Sequence, residues 1–426
     1  MPKRDGHLIM HLLEGNLKPL VLVFLIMAII ASVFLAVLPA SLEVNESTDY
    51  TSFYKPVAQS LLQGKGLVDA GGRAALRYPP GYPLILAGVF GIAKGLHLPE
   101  KAVLTGFTVF CLGMAAVFIF LIARVFWPPV PALIAAVGFS TYPFLLWLSK
   151  QPNVELPFLL FFYGSVWFFM LAMFNKSRQR LFSFIAGLLL GTSMIIRPIA
   201  IGLPLVLGGI LWIWGWKSGK GRPWILASLF LLGSLIPVAP WEAWAYHQSG
   251  KIILLSSGGV PSIVDGLTFG VHDPGYRQGL NVSGDIQAVM HHFEALRPQL
   301  GSIGEIVKAT LESLKNQPWA TTKLFVWKAL RSWYGTDSQR YEFMVLLLQV
   351  PYLAAFFWAS VRLLGKNSKM KLPAGIILVI TAYFWTMTIL VLPLLRYMVP
   401  ALGLLFVLLP GVSAKNRFTA PGGHGF

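Results

Sequence analysis

Long apolar runs dominate this chain. After a polar, basic start, Leu17 to Leu38 is apolar over a length that spans a bilayer. Further runs follow at about 82–97, 103–123, 129–148, 152–174, 181–196, 199–216, 223–243, 341–364, 372–392 and 397–413. A helix needs about 20 apolar residues to cross a hydrocarbon core. In lipid every backbone polar group must be satisfied internally, so only helices and closed barrels span. Runs of this length select helices. Composition agrees: 56% of the residues are hydrophobic and 12% charged, against roughly 45–50% and about 25% in soluble chains. The fold class is therefore an all-α polytopic membrane protein, expected as a single transmembrane domain over 1–426. Cys111, the only cysteine, lies inside an apolar run and excludes an internal disulfide.

The formal charge of +17 is not a nucleic-acid signal. Much of it sits in short loops, where Lys and Arg mark the cytoplasmic side. Four basic clusters are read as cytoplasmic: Lys176 to Arg180, Lys217 to Arg222, Arg362 to Lys371, and Lys415 with Arg417. The N-terminus is then inside, on an uncleaved first helix, because its apolar centre is longer than that of a signal peptide. Asp49, Glu155, Arg197 and Arg396 fall outside. So do a first outer loop at about 40–81 and a large one at about 244–340. The run at 82–97 is short and carries Lys94 and Gly95, so it is read as re-entrant. Ten full crossings remain, with both termini inside.

In the first outer loop Tyr50, Phe53, Tyr54, Val57, Ala58, Leu61 and Leu62 recur at helical spacing. Pro56 either kinks one helix or stands in the first turn of a new helix starting at Lys55. Gly64 and Gly66 supply the stop. The pattern predicts an amphipathic helix on the outer face, able to present a lipid. In the large loop, Ser256 to Pro261 reads as loop. Ser302 and Glu305 match a capping box. Ile303, Ile306, Val307, Leu311 and Leu314 mark one amphipathic helix, Asn316-Gln317-Pro318 breaks it, and Trp319 to Trp333 forms a second.

A few polar residues can carry chemistry. Asp49 fits a general base or a divalent-cation ligand; it equally fits a helix cap. Asp69, between glycine-containing turns, reads as structural. Glu155 opens a span between Pro152 and Pro157, where a carboxylate is expensive and faces protein or water. Its other reading is a charge favouring the positive end of its own helix. Being on one face, Asp49 and Glu155 can share a cation or divide base and positioning roles. Arg197 and Arg396 break the positive-inside pattern. Each can bind a lipid phosphate through a fork of hydrogen bonds or simply snorkel to headgroups. Tyr78 to Pro83 is a rigid turn. His247, His272, Asp265 and Asp273 show no diagnostic metal spacing, and His291-His292 reads as a solvated helix face.

The order of these motifs resembles the GT-C superfamily of integral-membrane glycosyltransferases. Within it, the chain is similar to the protein mannosyltransferase and aminoarabinose transferase group. The likeness rests on Asp49-Tyr50, the AxxLLxGxG run from Ala58 to Gly66, YPPGYPLILA at 78–87, Glu155, Arg197-Pro198 and Arg396-Tyr397. It covers most of the transmembrane chain; residues 250–318 add little. It implies a GT-C-like helix bundle with outer-face amphipathic helices, in a prokaryotic plasma membrane. It also implies a polyprenyl-phosphate sugar donor and a glycan, lipid or protein acceptor reached from outside. Asp49 would be the catalytic base and Glu155 the second acid, with a divalent metal cation at the pair. Arg197, Arg396 and Tyr397 would hold the donor phosphate, and Tyr50, Tyr54, Tyr78 and Tyr82 would position lipid or acceptor. One departure weakens the metal: relatives often carry an acid just before the proline pair, where this chain has Arg77-Tyr78. Direct displacement would invert the anomeric carbon. The competing class is a lipid or solute transporter, but no inverted repeat is visible.

The orientation is testable by cysteine labelling or reporter fusions. Residues 244–340 are expected outside and Lys176, Lys217 and Lys366 inside. Labelling of Lys217 from outside would move Arg197 to the cytoplasm and overturn the assignment.

Overall fold

The computed structural model describes residues 17–39, 42, 49–175, 177–217, 223–269, 271, 282–365 and 370–412. Most of the first loop before Asp49, Lys176, residues 218–222, His272, Asp273, Lys366, Lys415 and Arg417 lie outside them. Among the described residues there are seventeen α-helices and no strand, only an isolated bridge between Val68 and Ala74. The chain divides into two compact units. One is Met1–Ser256 with Phe406–Phe426, the other Ser257–Leu405.

The first unit begins with α1 (Leu17–Val37), a π-turn at Tyr50–Tyr54 and α2 (Lys55–Leu62). Pro56 stands in the first turn of α2, so a new helix does start at Lys55. Next come α3 (Gly81–Gly95), α4 (Glu100–Phe126), α5 (Pro129–Ser140), α6 (Pro143–Ser149) and α7 (Glu155–Phe174). The last three are α8 (Gln179–Ile196), α9 (Leu203–Lys217) and α10 (Pro223–Ser249). Pro143 splits the run at 129–148 into α5 and α6, bent by 53°. A residue before proline is pushed out of the helical region, and Tyr142 is accordingly extended. α10 passes through Pro237 and Pro240 and continues to Ser249, beyond the boundary expected at 244.

Small residues decide how these helices meet. Ser183, Gly187 and Gly191 recur every fourth residue on α8 and face α10. The Ser183 hydroxyl donates to Leu226 O at 2.7 Å. A Cβ on Gly187 would stand 2.0 Å from Phe230 O, and one on Gly191 2.2 Å from Ser234 O. Such seams let backbones approach where lipid offers no hydrophobic gain. Gly81 repeats the device: a Cβ there would meet Ile195 O at 2.5 Å, so the start of α3 lies against the end of α8.

The second unit holds α11 (Gly259–Leu267), α12 (Gly284–Leu296), α13 (Ile303–Asn316) and α14 (Pro318–Arg331). It continues with α15 (Glu342–Leu364), α16 (Lys371–Leu390) and α17, which starts at Leu395 and ends at Phe406. Val264, Leu267, Val289, Met290, Phe293 and Leu324 make a core joining α11, α12 and α14. α11 starts inside the stretch read as loop, and α12 carries the helix face read at His291-His292. The Ser302 half of the capping box forms, while Glu305 reaches one residue further back. The Ser302 hydroxyl accepts from Glu305 N–H at 3.3 Å, and the Glu305 carboxylate accepts from Gly301 N–H at 2.9 Å. His291 and His292 are exposed, as expected.

Eight described helices are long and apolar enough to cross a membrane, nine if α5 and α6 form one bent span. Ten were expected. α3 has 15 residues and α17 has 12, about 22 Å and 18 Å of helix. The final run falls short because α17 stops at Phe406 and Pro410-Gly411 turns the chain into a 3₁₀ segment.

α14 carries two buried basic side chains. Between α16 and α17 the backbone is non-helical, which leaves carbonyls without helical partners. Lys328 Nζ donates to Val391 O at 3.3 Å, and Arg331 Nη1 donates to Pro393 O at 2.8 Å. Arg331 also donates to Thr336 O and pairs with the Glu342 carboxylate. Burial pushes the Lys328 amine down to about 7. An unfolded lysine titrates near about 10.4, so between these values the unfolded chain holds a proton that the folded chain lacks. The buried-charge penalty is full below about 7, and stability rises with pH from there to about 10. Thermal unfolding of the purified protein should show that rise between pH 7 and roughly 9.5, and Lys328→Met should abolish it. An equal rise in the variant would assign it to another group.

Candidate functional site

Two helix ends meet in the first unit. Pro198 holds Arg197 extended, with φ −145° and ψ 119°, so α8 ends at Ile196 and the arginine leaves the helix. α7 begins at Glu155. The Asn153 side-chain oxygen accepts from Leu156 N–H at 3.2 Å and closes that first turn. Glu155 Oε1 then stands 3.2 Å from Arg197 Nη2, with both side chains about 95% buried. Removing one member of such a pair strands a buried charge.

The π-turn at Tyr50–Tyr54 lies beside this pair. Asp49 directly precedes it, yet the carboxylate makes no capping bond to the turn. Instead it accepts from the Tyr78 hydroxyl at 3.0 Å, and an Arg77 guanidinium nitrogen lies 3.7 Å away. The capping alternative is thus not what the geometry uses. Tyr78 stacks on Tyr54 at 5.2 Å between ring centres, and Tyr82 meets Tyr54 edge-on at 5.0 Å. Burial pushes the Tyr54 phenol well above its usual range. Tyr78, Asp49 and Glu155 push the same way, and Arg197 opposes them. The geometric link is Gly81, which lies against Ile195 O two residues before Arg197 and directly precedes Tyr82, the ring that meets Tyr54. The field of Glu155 also reaches Tyr82, as does Tyr50.

Of the residues singled out in the sequence, Asp49, Glu155, Arg197, Tyr50, Tyr54, Tyr78 and Tyr82 are brought together. Arg396 and Tyr397 belong to the second unit. There an Arg396 nitrogen lies 3.4 Å from Asp337 Oδ1 and 3.4 Å from the Tyr397 hydroxyl. Asp69 is structural: it accepts from Gly71 N–H and Arg73 N–H and closes its own loop. Asp265 pairs with Arg297 at 2.8 Å. No three His, Cys, Asp or Glu residues gather as a metal site among the described residues. Asp49 and Glu155 each have an arginine beside them.

Sequence reasoning missed Glu242. It lies near the end of α10, where its carboxylate accepts from Leu255 N–H at 2.5 Å. The Trp241 indole donates to Leu255 O at 3.0 Å, and the Ser256 hydroxyl donates to Arg77 O at 2.5 Å. The available signal was an acid in a long apolar run, after two prolines, where charge is expensive. Asp337 was missed as well, because an acid in a polar loop draws no attention.

The class defined by this structure is a multi-pass helical membrane protein with polar side chains gathered where helix ends meet. No known family model matches the chain, and no curated protein matches it. Among solved structures, it is similar to the archaeal oligosaccharyltransferase AglB from Archaeoglobus fulgidus, in complex with an inhibitory peptide and a dolichol-phosphate. The TM-score is 0.54 at 12% identity, over 92% of this chain and 50% of that one. The chain thus spans half the length of that protein. The shared feature is the fold.

The ion pair makes a specific energetic prediction. Arg197→Met and Glu155→Leu should each destabilise the purified protein by about 3–5 kcal/mol, while the double variant recovers most of that loss. Thermal unfolding of the four proteins measures it. Strictly additive losses would show that the two charges are not coupled.

Proposed function

We propose that this chain transfers a sugar from a polyprenyl-phosphate donor to an acceptor at the outer membrane face, with inversion. The observation that carries the reading is the Asp49 carboxylate, part-exposed and held by Tyr78, within the same cluster as the buried Glu155–Arg197 pair. The GT-C fold adds support, and so does the dolichol-phosphate in the AglB complex. The narrower likeness to mannosyl- and aminoarabinose transferases rests on the sequence motifs alone.

In the proposed reaction the acceptor oxygen attacks the anomeric carbon. The bond from that carbon to the phosphate oxygen breaks, and its electron pair leaves on the lipid phosphate. Asp49 takes the acceptor proton. Arg197 offsets the phosphate charge as it builds, and Glu155 fixes the guanidinium. Tyr54 stays neutral, held so by burial, and with Tyr50, Tyr78 and Tyr82 it forms an aromatic wall for the lipid or acceptor. No step runs through a metal. Arg396 and Tyr397 carry no step here.

Asp49→Asn keeps the shape and the hydrogen bond from Tyr78 but removes the base. Turnover with a synthetic polyprenyl-phosphate sugar should fall by about 100-fold or more, with unfolding temperature unchanged. Near-normal turnover in that variant would remove Asp49 from the chemistry. Vesicle flux of lipid or solute without sugar transfer would favour the transporter reading instead.

A further inference from the structure

The residues around Leu255 form a strap whose geometry is costly and well anchored. Leu254 and Leu255 both have positive φ, 50° and 71°, in the region that side chains with a Cβ avoid. Consecutive leucines persist there only when their surroundings hold them. Both peptide groups of Leu255 are held from one place on α10: Glu242 takes the N–H and Trp241 supplies a donor to the carbonyl. Leu255 itself is buried. The clasp fixes where Ser256 emerges. Ser256 then donates to the carbonyl of Arg77. That carbonyl belongs to the peptide joining Arg77 and Tyr78, the two residues that reach Asp49. A hydrogen-bonded path therefore runs from Glu242 to the proposed base, through the strap and the Arg77-Tyr78 turn, all within the first unit.

We infer that Glu242 is a positioning residue. Through the Leu255–Ser256 strap it holds the Arg77-Tyr78 turn so that Tyr78 presents its hydroxyl to Asp49. The inference rests on Asp49 acting as the base. A carboxylate near the end of α10 is expensive, and accepting an N–H from a strained loop gives it a use that a neutral residue without an acceptor cannot supply. Glutamine retains a carbonyl oxygen at the same reach, so charge is dispensable and the acceptor is not.

The test uses the full chain in detergent with three variants, Glu242→Ala, Glu242→Gln and Ser256→Ala. Hydrogen exchange in peptides covering Leu76 to Tyr78 needs no sugar substrate. It should rise in Glu242→Ala and Ser256→Ala, stay at the wild-type level in Glu242→Gln, and leave α7 and α8 unchanged. Unchanged exchange at Leu76 to Tyr78 overturns the strap whatever the activity. In sugar-transfer assays, the two alanine variants should lose about 10-fold in kcat with little change in KM for the donor. That loss should vanish in an Asp49→Asn background, because the strap acts through Asp49. A loss that persists undiminished there, or one confined to KM, overturns the positioning role. If wild-type protein transfers no sugar, the proposed function fails, and the exchange result alone decides whether Glu242 holds the turn.

Discussion

Glu155 and Arg197 face each other in a place where neither charge is tolerable alone. Burying two ions is costly, and their attraction repays the cost only with good geometry and further favourable terms. Both terms are present. Glu155 stands at the N-terminus of α7, the positive end of that helix, and Arg197 at the C-terminus of α8, the negative end. Each residue therefore complements its own helix as well as its partner. The contact pins two helix ends together, and Gly81 brings the start of α3 against the same end of α8. The Tyr78–Pro83 turn follows, and Tyr54 packs between Tyr78 and Tyr82.

The second unit solves a different problem with the same means. α16 ends at Leu390, and the chain needs several residues before α17 starts at Leu395. Non-helical backbone in apolar surroundings must have its carbonyls satisfied. Two basic side chains on α14 do this, each reaching a carbonyl of the break, and Leu395 N–H closes back on Gly335 O. The break is thereby a defined structure, and it sets the start of the segment bearing Arg396 and Tyr397.

Local rules were legible in the sequence. Pro198 ends α8 and frees Arg197, Pro56 opens α2, Asn316-Gln317-Pro318 separates α13 from α14, and Ser302 caps α13. These depend on neighbours along the chain. What was not legible depends on pairing at a distance. Asp49 followed by an aromatic helix reads equally as cap or base, and only Tyr78, 29 residues on, takes the carboxylate away from the turn. Nothing in the local sequence singles out Lys328 and Arg331; their burial follows from carbonyls some sixty residues later. The run at 129–148 is apolar throughout, so hydropathy reads one straight span, while its internal proline bends it.

The two acids of the candidate site differ in a way that separates their roles. Glu155 is buried against a guanidinium, so a proton taken there would break the pair that holds the helix ends. Asp49 is part-exposed, and its close partner Tyr78 is a neutral donor that can stay bonded through a change in charge. In the proposed reaction the acid with the stronger structural tie therefore serves the phosphate side, through Arg197, and the looser one serves the acceptor. Placing proton transfer on the group least needed for the fold lets the site change charge in each cycle without loosening the helices that built it.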